Sequence, residues 1–250
     1  MRRRALLTAL GASVATAGCV VGYTDSGSSD GNDDTDGEIE TLTLAEQGTP
    51  PTICSEELKP DGILAIDDPS FGPPAEWPDD PDGYRPLNGQ STVIGVEDGG
   101  EARAYPLTIL NVHEIVNDTL GRPVIVTYCP ICRSGMIAER RIDGETAVFD
   151  VSGLLWMPPG IYTAAAKEED RVFSDRKDGV SNNGNLVMYD NQTGSYWSQM
   201  LAQAICGPKA EQRLDVHAGT ASTWGEWQSE HPNGDVLLPP PISGTVDPPL

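Results

Sequence analysis

Pro123-Val124-Ile125-Val126-Thr127-Tyr128 runs without a break into Cys129-Pro130-Ile131-Cys132. The first part is a short β-branched and apolar run, the pattern of a strand buried on both faces of a sheet. Such a strand delivers the chain directly to two cysteines separated by two residues, so fold and chemistry meet at this point.

The flanking sequence reads as further strands joined by tight turns. Upstream, Thr92 to Val96 and Ala102 to Tyr105 flank Asp98-Gly99-Gly100, where glycine supplies the positive φ that a hairpin turn needs. Thr108 is placed to cap a short helix whose apolar positions Ile109, Val112, Ile115 and Val116 recur at helical spacing. That helix is expected to end near Asn117-Asp118 and to set His113 beside its buried stripe. Downstream, one strand pair turns at Asp143-Gly144, and another runs from Asn185 to Tyr189 and returns through Ser195 to Gln199. Ser222 or Thr223 caps a last short helix through Trp224 and Trp227 to His231-Pro232, and Val236 to Leu238 closes the domain as a strand. Trp197, Trp224 and Trp227 read as core aromatics. The expected fold class is α+β to mainly β: a single domain of antiparallel hairpins and meanders with a few short helices.

Composition limits the partners. The chain has 250 residues, with 27 Gly and 21 Pro, enough for one loop-rich domain. Its 38 acidic and 16 basic residues give a net charge of −22, which argues against a protein that tracks nucleic-acid phosphates. The acid-rich, lysine-poor balance resembles the surfaces of haloarchaeal proteins, where salt screens self-repulsion.

Residues 1–18 read as an export signal. Arg2-Arg3-Arg4 precedes an apolar stretch too short to cross a bilayer as a helix, which fits twin-arginine export. The small residues Ala15-Thr16-Ala17-Gly18 ahead of Cys19 resemble a lipobox, implying acylation of Cys19 and attachment to membrane lipid on the outer face of the cytoplasmic membrane. Residues 19–40 hold too little apolar surface to fold and are expected to form a flexible acidic tether. The globular domain is then 41–250.

Five cysteines are present, and Cys19 is assigned to lipid. Cys54 and Cys206 either pair with each other as a structural disulfide or stay as buried thiols. Cys129 and Cys132 admit three readings. In the first, the chain is an anchored thiol–disulfide oxidoreductase in which one thiolate attacks, the other resolves, and His113 accepts the proton. A redox partner protein is then implied. In the second, Cys129, Cys132 and His113 hold copper or zinc. In the third, the pair is a structural clip in a non-catalytic interaction module. Arg133 is the nearest cation to the pair, and Glu114 stands beside His113. His217 and His231 read as structural or solvent-facing. A nucleophilic hydrolase is disfavoured, because no Gly-x-Ser-x-Gly elbow is present.

Several blocks, in order, resemble the DUF3179 family: Asn111 to Asp118, Val126 to Cys132, Val151 to Leu155, Asn185 to Asp190, Thr193 to Gln199, and Trp224-Gly225-Glu226-Trp227. The resemblance covers about residues 60 to 240. The family has no established activity, so the resemblance supplies no substrate. Some relatives are labelled possible selenoproteins, which implies a redox role for Cys129 or Cys132. Two departures stand out. Residues 156–183 intervene between two family blocks and are expected to be a surface insertion. Arg133 stands where the family more often has glycine.

Overall fold

The computed structural model describes residues 42–58, 62–81, 83–159 and 184–245. The expected export signal, the lipid-bearing Cys19 and the acidic tether all lie outside the described residues, as does most of the expected insertion.

After a 3-10 turn at Ile53–Ser55 come β1 (Ile66–Asp68), β2 (Phe71–Gly72) and a second 3-10 turn at Pro74–Glu76. Next are β3 (Thr92–Asp98), β4 (Glu101–Pro106), helix α1 (Leu107–His113), β5 (Ile115–Leu120), β6 (Arg122–Cys129) and β7 (Ser134–Glu139). The chain continues through β8 (Arg141–Ile142), β9 (Glu145–Thr146), β10 (Phe149–Trp156), β11 (Asn185–Asp190), β12 (Tyr196–Ser198) and β13 (Gln203–Cys206). It finishes with β14 (Thr220–Thr223), helix α2 (Trp224–Glu230), β15 (Asp235–Leu237) and β16 (Gly244–Thr245). The fold is mainly β.

Among the described residues three larger sheets, with a two-stranded ribbon β8-β9 beside them, enclose two main cores. The middle sheet has the order β16-β1-β5-β6-β7, the second β10-β11-β12-β13, and the third β14-β3-β4-β15-β2. Side chains alternate along β6, so Ile125 and Cys129 enter the core shared with Phe149, Leu186, Met188 and Trp197 of the second sheet. Val124 and Val126 enter the opposite core with Ile94, Val96 and Tyr105 of the third sheet and Ile109 and Leu110 of α1. This accounts for the apolar run of β6: both of its faces are covered. Trp224 and Trp227 of α2 seal the outer side of the third sheet.

Local turn chemistry places the hairpins as expected. Gly99 and Gly100 join β3 to β4 with φ of 60° and 88°, the two left-handed residues of a turn that matches strand twist. Thr223 caps α2 in a reciprocal capping box with Glu226. The antiparallel pattern has two exceptions: β1 runs parallel to β5, and β15 parallel to β4.

The first helix is shorter than its spacing predicts. It ends at His113, Glu114 turns the chain at φ 58°, and Ile115–Leu120 forms a strand instead of helix. That strand pairs with β6 from Ile115 opposite Thr127 to Leu120 opposite Arg122. Ile115 and Val116 are β-branched and fully buried, and a ladder between two neighbours satisfies them better than a short helix does. Thr108 is not the cap; Pro106 holds that position, and Thr108 Oγ1 accepts a hydrogen bond from Arg85 N–H at 2.8 Å.

Candidate functional site

The CxxC turn is held at both ends by the middle sheet. β6 ends at Cys129, β7 begins with Ser134 directly opposite, and Arg133 N–H closes the turn on Cys129 O at 2.7 Å. Cys129 and Cys132 are bonded to each other, with Cα atoms 5.4 Å apart.

The two sulfurs have unequal access. Cys129 is 1% exposed and belongs to the core, whereas Cys132 is half-buried against the edge of that core. Ile131, at the tip of the turn, is 58% exposed. Cys132 N–H points at Cys129 Sγ from 3.4 Å, placing a backbone donor where charge would develop if that sulfur left as thiolate. Gly184 O lies 2.7 Å from Cys132 Sγ.

A buried polar network braces this turn. Gln199 Nε2 donates to Thr127 Oγ1 (3.0 Å) and to Ser134 O (3.2 Å), and Ser134 Oγ donates to Gln199 Oε1 (2.9 Å). Asn185 Nδ2 donates to Ser134 Oγ (2.7 Å) and to Gln199 Oε1 (2.9 Å), while its Oδ1 accepts from Met200 N–H (2.9 Å). Each amide is satisfied, and the network ties β6 and β7 to the start of β11 next to Gly184. Sequence reading by itself passed over Asn185 and Gln199 as site residues. The available signal was a polar amide at the edge of the apolar run Leu186-Val187-Met188.

His113 is held by other partners. It is buried at the end of α1, with Nδ1 2.6 Å from Leu64 O and Nε2 2.6 Å from Tyr84 Oη. A carbonyl only accepts, so Nδ1 carries the proton and Nε2 accepts from the Tyr84 hydroxyl. Burial pulls the imidazole below its ordinary pKa, opposed by the bond to Leu64. Both ring nitrogens are therefore occupied in this structure, by Leu64 O and Tyr84 Oη. Leu64 and Tyr84 orient the ring in the place considered for Glu114. Among the described residues no group of three or more His, Cys, Asp or Glu side chains gathers where it could hold a metal ion. Cys129, Cys132 and His113 thus do not assemble into a copper or zinc site.

Cys54 and Cys206 are bonded, with Cα atoms 5.4 Å apart, which fastens the first 3-10 turn to the end of β13. His231 packs its ring 4.0 Å from that of Trp227 and lies 3.5 Å from Glu97. His217 lines a cavity of about 560 Å3 that Arg133 and Ser134 also line, immediately after the CxxC.

No curated protein and no solved structure matches the chain. A family pattern does match, over residues 60–159 and 169–244. The match includes both cysteines of the CxxC, begins after Cys54, and omits residues 160–168 within the stretch read as an insertion. The chain therefore belongs to the DUF3179 family, described as a protein of unknown function.

Proposed function

We propose that the protein carries out thiol–disulfide exchange through Cys129 and Cys132. The observation that carries this reading is the asymmetry of the pair: Cys132, a half-buried residue, is bonded to Cys129, which is sealed in the core, and a cavity begins at the next residue, Arg133. A substrate thiolate attacks Cys132 Sγ, which belongs to the less buried residue of the pair. The Cys129–Cys132 bond breaks, and Cys129 leaves with the electron pair, next to the Cys132 N–H, and takes up a proton. The substrate's second thiolate then attacks its own sulfur in the mixed disulfide and releases Cys132. Two electrons and two protons pass from a substrate dithiol to the pair, and the reverse sequence reduces a substrate disulfide.

Redox titration of the intact chain tests this, with differential alkylation and peptide mass spectrometry reading each cysteine pair separately. The expected midpoint for Cys129–Cys132 lies above about −300 mV; a value below that would class the pair with inert structural disulfides and overturn the reading.

The same proposal places the chain outside the cytoplasm, held to membrane lipid through Cys19 and served by a redox partner protein. The signal-like residues 1–18 and two bonded cysteine pairs in one chain support this location. Replacing Cys19 by Ala is expected to release the protein from the membrane fraction; retention there would sink the anchor.

A further inference from the structure

The outer edge of β7 is only partly covered. Glu139 N–H donates to Asp215 O at 2.8 Å, His217 N–H donates to Ile137 O at 2.9 Å, and Ala138 faces Val216 in a single bridge. In an antiparallel ladder successive residues turn their backbone groups to opposite sides, so the odd-numbered residues of β7 face outward. Gly135 therefore presents its N–H and C=O to this edge, and among the described residues nothing bonds them.

The 560 Å3 cavity lies beside Gly135. Met200 and Leu201, which follow β12, wall it on one side, and Ile94 of β3 and Ala221 of β14 wall it on the other. It lies along the edge residues Ser134 to Ile137, next to the short cover that residues 215–217 give β7. Its charge is also unlike the rest of the chain. The protein has 38 acidic residues, yet among the described residues no carboxylate lines this space, whereas Arg133 and His217 do. His217 Nε2 is sealed from solvent and has no hydrogen-bond partner among the described residues.

We propose that this slot takes an extended, acidic, cysteine-bearing polypeptide segment as an added strand on β7. The inference rests on the exchange reading and names its substrate class. Open backbone groups call for a donor and an acceptor at strand spacing, which a peptide offers and a small thiol does not. An acidic side chain of the segment pairs with Arg133. Ser134 opens β7 and Cys132 lies in the turn just before it, so a segment that runs on past Ser134 meets the CxxC turn and can carry a cysteine to it. Its thiolate bonds to Cys132 Sγ as the bond to Cys129 breaks, and Cys129 keeps the electron pair and gains the proton.

The test follows reduction of the Cys129–Cys132 bond in the intact chain by three dithiol probes. These are an extended peptide with two cysteines and flanking glutamates, a capped fragment of it too short to pair, and the long peptide N-methylated at single backbone amides in turn. The long peptide is expected to react at least about tenfold faster than the fragment, one N-methyl position is expected to remove most of that gain, and Arg133→Gln is expected to abolish the preference for glutamate over lysine flanks. Equal rates for long and short probes overturn the added strand while leaving thiol exchange standing. Failure of every probe, with the bond still reducible by a phosphine, overturns both. A concentration-dependent dimer that blocks the long peptide would assign the slot to a second copy of the chain, against the proposal.

Discussion

Arg133 holds φ at 55°, in the left-handed region, where a residue with a Cβ is disfavoured by about 1 kcal/mol relative to glycine. This conformation turns the chain out of the CxxC and into β7, a position at which glycine carries no such penalty. Arg133→Gly should leave stability to urea within about 1 kcal/mol of the parent, because relieved strain offsets the added freedom of the unfolded chain. Arg133→Val should lose roughly 1 to 3 kcal/mol, since a β-branched side chain resists that conformation. A larger loss for Gly than for Val would refute the assignment of strain. His113 makes a different prediction. Its folded-state pKa lies below the ordinary value because burial disfavours the imidazolium. The unfolded chain therefore binds the proton more readily, and stability present above about pH 6.5 is lost as pH falls through the depressed folded value. The melting temperature should drop over that window, and His113→Gln should flatten this part of the profile; an unchanged slope in the variant would show that other groups set it.

Gly95 of β3 lies under the indole of Trp227, and a Cβ built there would collide with the ring. Helix α2 thus docks on the third sheet through one missing side chain. Gly95→Ala should cost roughly 1 to 3 kcal/mol by overpacking and should alter the near-ultraviolet circular dichroism of the tryptophans. A melting curve that matches the parent would mean α2 is free to shift. The strands were legible for a related reason: turn residues such as Asp98-Gly99-Gly100 and Asp143-Gly144 act over a few positions, and both hairpins formed there. The capping box of α2 was legible likewise. The end of α1 was not. Ile109, Val112, Ile115 and Val116 keep helical spacing, yet Val112 is 43% exposed and Ile115 and Val116 are buried in a ladder. Pairing with β6, and with β1 through Val116, outweighed a periodicity that a seven-residue helix could not sustain.

The Cys54–Cys206 bond closes 152 residues and joins the start of the described domain to the far strand of the second sheet. Cys54→Ser with Cys206→Ser should reduce stability by about 2 to 5 kcal/mol. It should leave the Cys129–Cys132 midpoint unmoved, because the two pairs lie in different hydrophobic clusters. A coupled shift in the alkylation titration would show that the two sheets move together. Local pattern was enough to establish the doubly covered strand, the two cysteines at its end and the mainly β fold. Each of those depends on neighbours a few positions apart or on composition. The partners of His113, 49 residues from Leu64, and of Cys132, 52 residues from Gly184, came from chain crossings. So did the open edge of β7. A periodicity reports which face a residue turns inward; which distant backbone waits on that face is set by how the three sheets stack, and no short stretch of sequence encodes that.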